Sequence, residues 1–165
     1  MKLLPPIPEA KELVPVVDRK KEFLLHPITA AAWHLLKDAA KSKGIDLRLV
    51  SAFRSIKRQN EIIEGKRKKG IPDCEIFKVS APAGFSEHHS GRAIDLSTDG
   101  YTALEEEFES SAAFEWLKEN ASSFGFTLSY PRNNQYGIAY QPWHWFHNGK
   151  AEQGSLWSTS LSRRA

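Results

Sequence analysis

The stretch GFSEHHSGRAIDLS, residues 84–97, brings two histidines and an aspartate to the point where a loop becomes a strand. Residues 92–97 predict that strand, and Gly91 separates it from the histidines. Because side chains alternate along a strand, Asp95 and its apolar neighbours project from opposite faces. His88 in the loop and Asp95 one pleat into the strand can therefore converge on a single point.

An imidazole and a carboxylate that converge in this way suit zinc, and a catalytic zinc site takes three protein ligands and leaves a fourth position open. The best third candidate is His144 in PWHWFH, residues 142–147, where flanking aromatic residues would fix its ring and exclude bulk water. Taken alone, His88 and Asp95 are better explained as a loop histidine and a capping aspartate. The zinc interpretation gains its weight from the ordered presence of SAFRS, residues 51–55, and PWHW in the same chain.

The composition is that of one ordinary globular domain, with 165 residues of which 41% are hydrophobic and 26% charged. The single cysteine excludes an internal disulfide framework. A net charge of +3 is too small to indicate nucleic-acid binding. No window approaches the roughly 18 apolar residues of a membrane span. We therefore expect no nucleic-acid partner, no membrane span and, by default, a monomer.

The N-terminus, MKLLPPIPEAKELVPVV, lacks the continuous apolar run of about 7–15 residues that marks a signal peptide. The compartment therefore stays open at this point. The cell envelope or periplasm applies if a leader has been removed, and the cytoplasm applies otherwise.

Prolines and helix signals divide the chain. Residues 1–25 hold four of the nine prolines and predict an extended arm wrapped over the rest of the protein. Residues 26–165 predict a single domain. It begins with a predicted helix over residues 27–43, which Gly44 ends. The predicted apolar face of that helix consists of Ile28, Ala32, Leu35, Leu36 and Ala39.

Strand and helix patterns alternate along the remaining chain. They predict strands at 45–53 and 92–97, helices at 55–69 and 110–125, a long loop at 70–90 and a hairpin within 126–147. Ser55 is the expected cap of the helix that follows it. This order predicts an α+β fold with a small, mainly antiparallel sheet flanked by helices. The single zinc site would lie at that sheet.

The three segments together resemble the VanY-type zinc D-alanyl-D-alanine carboxypeptidases, with their relatives the D-Ala-D-Ala dipeptidases and L,D-carboxypeptidases. The pattern of that family is S-x-H-x-x-G-x-A-x-D, an upstream aromatic-Arg-Ser segment and a downstream E-P-W-H. This chain has SEHHSGRAID at residues 86–95, FRS at 53–55 and QPWH at 141–144. The resemblance spans residues 45–150, and its first and last motifs together are highly specific.

The resemblance implies a role for six residues of this chain. His88, Asp95 and His144 would bind zinc. Arg54 would bind the substrate and stabilise the developing oxyanion, Ser86 would hydrogen-bond the substrate near its C-terminal end, and Gln59 would help to position the peptide.

Three further polar residues near these motifs are expected to stay outside the ligand set. Glu87 and His89 occupy variable positions of the pattern, and we expect Glu87 to be a solvated loop acid. His147 follows His144 by three residues, so we expect it on the opposite face of a strand.

The chain departs from the family pattern at Gln141, where the family has the glutamate that acts as general base. An amide has nearly the shape of a carboxylate but does not accept a proton at neutral pH. Loss of a general base typically removes a factor of about 10²–10⁴ in rate. Two explanations remain open: a deliberate single replacement in an otherwise intact enzyme, or a natural protein that has lost catalysis. We favour the first, because every other family position that can be matched is intact.

The resemblance therefore implies a zinc metallo-carboxypeptidase that removes the terminal D-alanine from peptidoglycan stem peptides or their precursors, impaired by Gln141. A phage-type endopeptidase of the same fold is the alternative within the enzyme class. A catalytically silent zinc module that binds cell-wall peptides is the alternative outside it. The simplest alternative of all is a cluster that binds no metal.

Overall fold

Six strands form two antiparallel sheets within residues 2–149, the part of the chain that the computed structural model describes. The strands are Val14–Asp18 (β1), Lys21–Leu25 (β2), Arg48–Ser51 (β3), Ala93–Ser97 (β4), Phe126–Leu128 (β5) and His144–His147 (β6). β1 and β2 form a hairpin, and the other four strands have the order β3-β4-β6-β5. Every neighbouring pair is antiparallel. The predicted α+β fold with a mainly antiparallel sheet is confirmed.

Helices connect these strands, and side-chain caps begin three of them. The α-helices are Pro27–Ser42 (α1), Ile56–Lys68 (α2), Asp73–Val79 (α3) and Ala112–Asn120 (α4). Shorter 3-10 segments lie at Glu87–Ser90, Glu106–Ser110 and Ala121–Phe124. Ser55 accepts a hydrogen bond of 3.0 Å from the backbone N–H of Arg58, which confirms the predicted cap of α2. Ser111 caps α4 in the same way through the N–H of Phe114, and His26 is the cap of α1.

The buried face of α1 differs from the predicted one. Ile28 and Leu35 are 52% and 62% exposed, although both were expected to face the core. The residues that are buried are Thr29, Ala30, Trp33, Leu36 and Ala40. The helix is rotated so that Trp33, which is 1% exposed, enters the core. Burial of this large aromatic side chain removes more apolar surface from water than burial of Ile28 would.

The second half of the predicted N-terminal arm is a hairpin instead. β1 and β2 pair from Val14 with Leu25 to Asp18 with Lys21. The turn between them uses Arg19 and Lys20 with φ of 47° and 66°, so it has the left-handed conformation of a tight hairpin turn without the glycine or asparagine that usually marks one. No turn signal is therefore visible in this part of the sequence. Side chains of Val16, Phe23 and Leu25 join the main core.

Residues 2–13 contain no helix or strand, and two of their backbone N–H groups donate to the segment that precedes β4. The N–H of Ile7 donates to the carbonyl oxygen of Gly84 at 2.7 Å, and the N–H of Ala10 donates to that of His89 at 2.8 Å. Division of the chain at residue 26 stays a prediction. Residues 150–165 of the predicted domain lie outside the described part of the chain.

The predicted long loop over residues 70–90 contains helical structure. α3 begins directly after Pro72 and carries Asp73 and Glu75 in its first turn, where negative charge stabilises a helix. Ile76 of this helix is completely buried. The density of proline and glycine on either side concealed this short helix. No helix in the described residues is long and apolar enough to cross a membrane.

Strand register places three polar residues in one row across the sheet. Asp95 on β4 pairs with Ser51 on β3 and with His144 on β6. Residues directly opposite each other in an antiparallel sheet project from the same face. The neighbouring pair, Ile94 with Trp145, therefore projects from the other face.

That other face of the sheet forms the core with α1 and α4. The ring of Phe114 on α4 lies 6.3 Å from the ring of Trp145, measured between centroids. The shared core cluster includes Trp33, Leu36, Leu49, Ile94, Leu96, Phe114, Leu117 and Trp145. A packed apolar layer on one face thus fixes the position of the polar row on the other.

Gly91 allows the loop before β4 to pass close to the N-terminal segment. Its φ is +67°, and an added Cβ would lie 2.8 Å from a methyl carbon of Leu13 and 2.9 Å from the backbone nitrogen of His26. Gly70 has a similar φ of +79° but nothing within 4 Å of the added atom.

We expect Gly91→Ala to destabilise the protein by about 1–3 kcal/mol more than Gly70→Ala, because both variants strain the backbone but only the first overpacks it. Urea unfolding followed by tryptophan fluorescence measures the difference. Equal stabilities of the two variants would contradict the close approach at Gly91.

Candidate metal centre and active site

Three of the predicted site residues form a buried cluster at the end of the polar row. The ligand atoms of His88, Asp95 and His144 all lie within 4.8 Å of one another. The three residues are 4%, 3% and 3% exposed. Two imidazole nitrogens and a carboxylate oxygen are a donor set that suits zinc.

Backbone structure orients each member of this cluster. His88 lies in the 3-10 segment before β4, and its Nδ1 is 2.6 Å from the carbonyl oxygen of Ala52. A carbonyl oxygen only accepts, so Nδ1 carries the proton and Nε2 is directed to Asp95, 3.2 Å from Oδ2. The β4–β6 register sets Asp95 opposite His144, whose Nδ1 lies 2.9 Å from Oδ1.

Glu87 contacts this cluster, which corrects the expectation of a solvated loop acid. Its Oε2 lies 2.8 Å from Nε2 of His144 and accepts a hydrogen bond of 2.6 Å from Ser129. Only 20% of its side chain is exposed. Its partners are 57 and 42 residues away in the sequence, so no local pattern could have predicted the contact.

The carboxylates and imidazoles shift one another's protonation. Burial would lower the pKa of His144, but the hydrogen bonds to Asp95 and Glu87 raise it to about 9. Burial would raise the pKa of Asp95, but the nearby charges of His88 and His144 hold it well below its usual range. The pKa of Glu87 is lowered despite burial, chiefly by the hydrogen bond to His144. Both acids are therefore ionised at neutral pH, and the pair favours a bound cation.

Arg54 extends the polar row toward α2. Its Nη1 donates to Oε1 of Gln59 at 2.9 Å, and its Nη2 donates to Oγ of Ser51 at 3.0 Å. Burial lowers its pKa and the charge of Asp95 opposes that shift, so the guanidinium stays protonated. In the described part of the chain no carboxylate forms an ion pair with Arg54. A half-buried cation with donors held in fixed directions is suited to an anionic group of a ligand.

The cluster and Arg54 open into one cavity of about 470 Å³. Every residue that the resemblance implicates lines this cavity: Arg54, Gln59, Ser86, His88, Asp95, Gln141 and His144. Apolar walls come from several elements and include Ile62, Leu104, Ile138 and Trp143. The space is large enough for part of a small peptide.

Residues 79–81, here called the wall segment, are held against the cavity by three side chains. Gln141 donates to the backbone oxygen of Val79 at 3.1 Å. Lys66 donates to Oγ of Ser80 at 2.8 Å, and Gln59 donates to the backbone oxygen of Ala81 at 2.7 Å. Gln59 is 1% exposed, and its amide forms hydrogen bonds with both Arg54 and the wall segment. The amide of Gln141 acts here as a donor, which a carboxylate at the same position would not do.

The two other histidines near the motifs lie outside the cluster. His89 is completely buried, donates from Nδ1 to the backbone oxygen of Arg54 at 2.7 Å and accepts at Nε2 from the N–H of Gly84 at 3.1 Å. It therefore holds the backbone of Arg54 in place. His147 contacts Thr29 of α1 at 3.0 Å, consistent with its expected position on the opposite face of β6.

Tyr130 is a cavity residue in contact with the cluster that the sequence did not indicate. Its ring centroid lies 4.9 Å from that of His144. Trp145, which was expected to support His144 directly, instead projects into the core and donates to the oxygen of Pro142. Tyr130 lies between β5 and β6 in a segment without regular periodicity, so only the three-dimensional structure brings it to the site.

Comparisons with known proteins identify relatives of this chain. The family model described as VanY, D-alanyl-D-alanine carboxypeptidase, matches residues 22–150. A bifunctional D-Ala-D-Ala dipeptidase and carboxypeptidase, VanXYC of Enterococcus gallinarum, is 34% identical over 78% of this chain and 69% of its own length. A D-alanyl-D-alanine carboxypeptidase of Enterococcus faecalis is 31% identical over 69% of this chain but 44% of its own length. The chain thus spans less than half of that relative.

A solved structure shows the same fold. It is a mutant of the vancomycin-resistance D,D-pentapeptidase VanY in complex with Zn(II), 27% identical, with a TM-score of 0.69 over 86% of this chain and 82% of that one. The matched family region includes the buried cluster, Arg54 and the residues around the cavity. This chain belongs to the VanY family of D-alanyl-D-alanine carboxypeptidases.

Proposed function

We propose that this chain is a zinc metallo-carboxypeptidase that removes the terminal D-alanine from peptidoglycan stem peptides, and that Gln141 leaves it with strongly reduced activity. The observation that carries the proposal is the buried cluster of His88, Asp95 and His144 beside Arg54 in one cavity. The names of the relatives, which specify D-Ala-D-Ala, support the choice of substrate.

His88, Asp95 and His144 would hold the zinc ion, since their donor atoms converge and the carboxylates of Asp95 and the neighbouring Glu87 are ionised. When bound there, zinc would supply a Lewis acid that polarises a peptide carbonyl and makes a water more acidic. The Zn(II) complex of the VanY pentapeptidase supports the choice of metal.

Arg54 would bind the peptide next to the metal and stabilise the negative charge that develops on the carbonyl oxygen. Ser51 and Gln59 hold the guanidinium in place before any ligand arrives, so little reorganisation is needed. Ser86 is 4% exposed at the cavity surface, and its hydroxyl would hydrogen-bond the terminal residue of the peptide.

Gln141 occupies the position of the general base, where its amide does not accept a proton at neutral pH. Glu87 does not replace it. Glu87 binds Nε2 of His144, whereas Nδ1 of the same ring faces Asp95, so the imidazole separates the Glu87 carboxylate from the cluster. The peptide would therefore bind and remain largely uncleaved.

Metal analysis tests the cluster first. We expect the purified protein to bind about one zinc ion per chain, and His88→Ala or Asp95→Asn to lose it, because each variant removes a ligand. His34→Ala is a suitable control, since His34 lies exposed on α1. A zinc content far below one per chain after incubation with the metal would overturn the zinc proposal.

Restoration of the base tests the role of Gln141. We expect Gln141→Glu, loaded with zinc, to release D-alanine from a stem pentapeptide about 10²–10⁴ times faster than the wild-type chain. Gln141→Ala should stay as slow as the wild type. A zinc-loaded Gln141→Glu protein that cleaves no stem peptide would contradict the carboxypeptidase proposal.

Equilibrium binding to the slow wild-type chain tests Arg54. We expect Arg54→Ala to weaken binding of the pentapeptide about 10–100-fold, because a charged donor to the ligand is lost. Arg54→Lys should recover part of the affinity, and Arg58→Ala, on the exposed side of α2, should change little. Calorimetry measures all three, and unchanged affinity in Arg54→Ala would remove Arg54 from the binding site.

The second candidate function is a catalytically silent zinc module that binds cell-wall peptides. The hydrogen bond from Gln141 to the wall segment favours it, because the amide has a structural partner that a glutamate would lack. The two functions differ in the Gln141→Glu assay: a silent module would bind the pentapeptide and remain inactive. Digestion of a cross-linked muropeptide beside the free pentapeptide would separate an endopeptidase from a carboxypeptidase.

A further inference from the structure

The carboxylate of Glu87 contacts the cluster of candidate ligands but is not one of its three members. Its Oε2 lies 2.8 Å from Nε2 of His144 and 2.6 Å from Oγ of Ser129. We propose that Glu87 is a positioning residue that fixes the proton and the ring orientation of His144, so that Nδ1 of this histidine is the atom offered to the metal. This inference rests on the proposed zinc site.

A carboxylate oxygen accepts hydrogen bonds and does not donate them. Oε2 of Glu87 accepts a hydrogen bond from Oγ of Ser129 and faces Nε2 of His144 at 2.8 Å. Nε2 of His144 must therefore donate to it. Nδ1 lies 2.9 Å from Oδ1 of Asp95, inside the cluster. Because Glu87 holds the proton of Nε2, Nδ1 is the nitrogen that would release its proton and bind a metal ion.

His88 is oriented by the same principle with its nitrogens reversed. Its Nδ1 donates to the carbonyl oxygen of Ala52, and its Nε2 lies 3.2 Å from Oδ2 of Asp95. Each histidine of the cluster thus has an acceptor on its outer nitrogen and its other nitrogen directed inward. A carboxylate in that outer position also makes the imidazole a stronger ligand than a carbonyl would.

Glu87 is itself held in place, which a positioning role requires. Ser129 donates to the same oxygen that contacts His144. Glu87 and His88 are adjacent in one 3-10 segment. The residue that supports His144 and the candidate ligand His88 are therefore held by the same stretch of backbone. Tyr130 packs on the ring of His144, which limits the rotation of the ring.

Zinc affinity tests the inference directly. Competition with a chromogenic chelator gives the Kd of the wild-type chain, Glu87→Gln, Glu87→Ala and Ser129→Ala. We expect Glu87→Ala to bind zinc about 10–100-fold more weakly. Glu87→Gln keeps an acceptor but loses the charge, so its loss should be smaller, and Ser129→Ala should lose least. The control is Glu119→Gln, an exposed glutamate on α4, which should match the wild type.

The absorption spectrum of the Co²⁺-substituted protein adds a readout that a loss of overall stability would not move. We expect its d–d bands to shift in Glu87→Ala and to stay unchanged in Glu119→Gln, at equal thermal stability of the metal-free proteins. If wild-type zinc binding is tight and all Glu87 variants match it in affinity and spectrum, the inference alone is overturned. If the wild-type chain binds no zinc, the proposed function falls with it.

Discussion

The register of β4 against its two neighbours is the constraint on which the rest of the site depends. It sets Asp95 opposite Ser51 on one side and His144 on the other. A slip of one residue would turn Asp95 into the core and bring Ile94 to the cavity. Burial of Ile94 against α1 and α4 opposes that slip, so the apolar face of the sheet enforces the geometry of the polar one.

Features of the fold and of the site could be predicted from the sequence where they depend on short segments, and could not where they depend on contacts between distant residues. The cluster of candidate ligands could be predicted because its motifs are compact and their resemblance to a family is specific. The β1–β2 hairpin was missed because Arg19 and Lys20 are unusual residues for a left-handed turn. Glu87 and Tyr130 were missed for a different reason. Their contacts with His144 depend on how β5 and β6 assemble, and no short-range pattern records that.

The buried histidines near the motifs have different tasks, although their side chains are chemically identical. His88 and His144 converge on Asp95, whereas His89 ties the backbone of Arg54 to that of Gly84. The acceptor or donor that each ring nitrogen meets determines the task. Placement of protons, rather than the number of histidines, therefore distinguishes a candidate metal ligand from a structural support.

The wall segment has a consequence for how the cavity can change over time. One of the three side chains that hold this segment is Gln141, at the position proposed for the general base. A glutamate there would direct a negative oxygen at the carbonyl of Val79 unless it turned away, and the wall would lose one of its three attachments. A substitution at residue 141 would thus change both the proton-accepting capacity of this side chain and the attachment of the wall segment to the cavity.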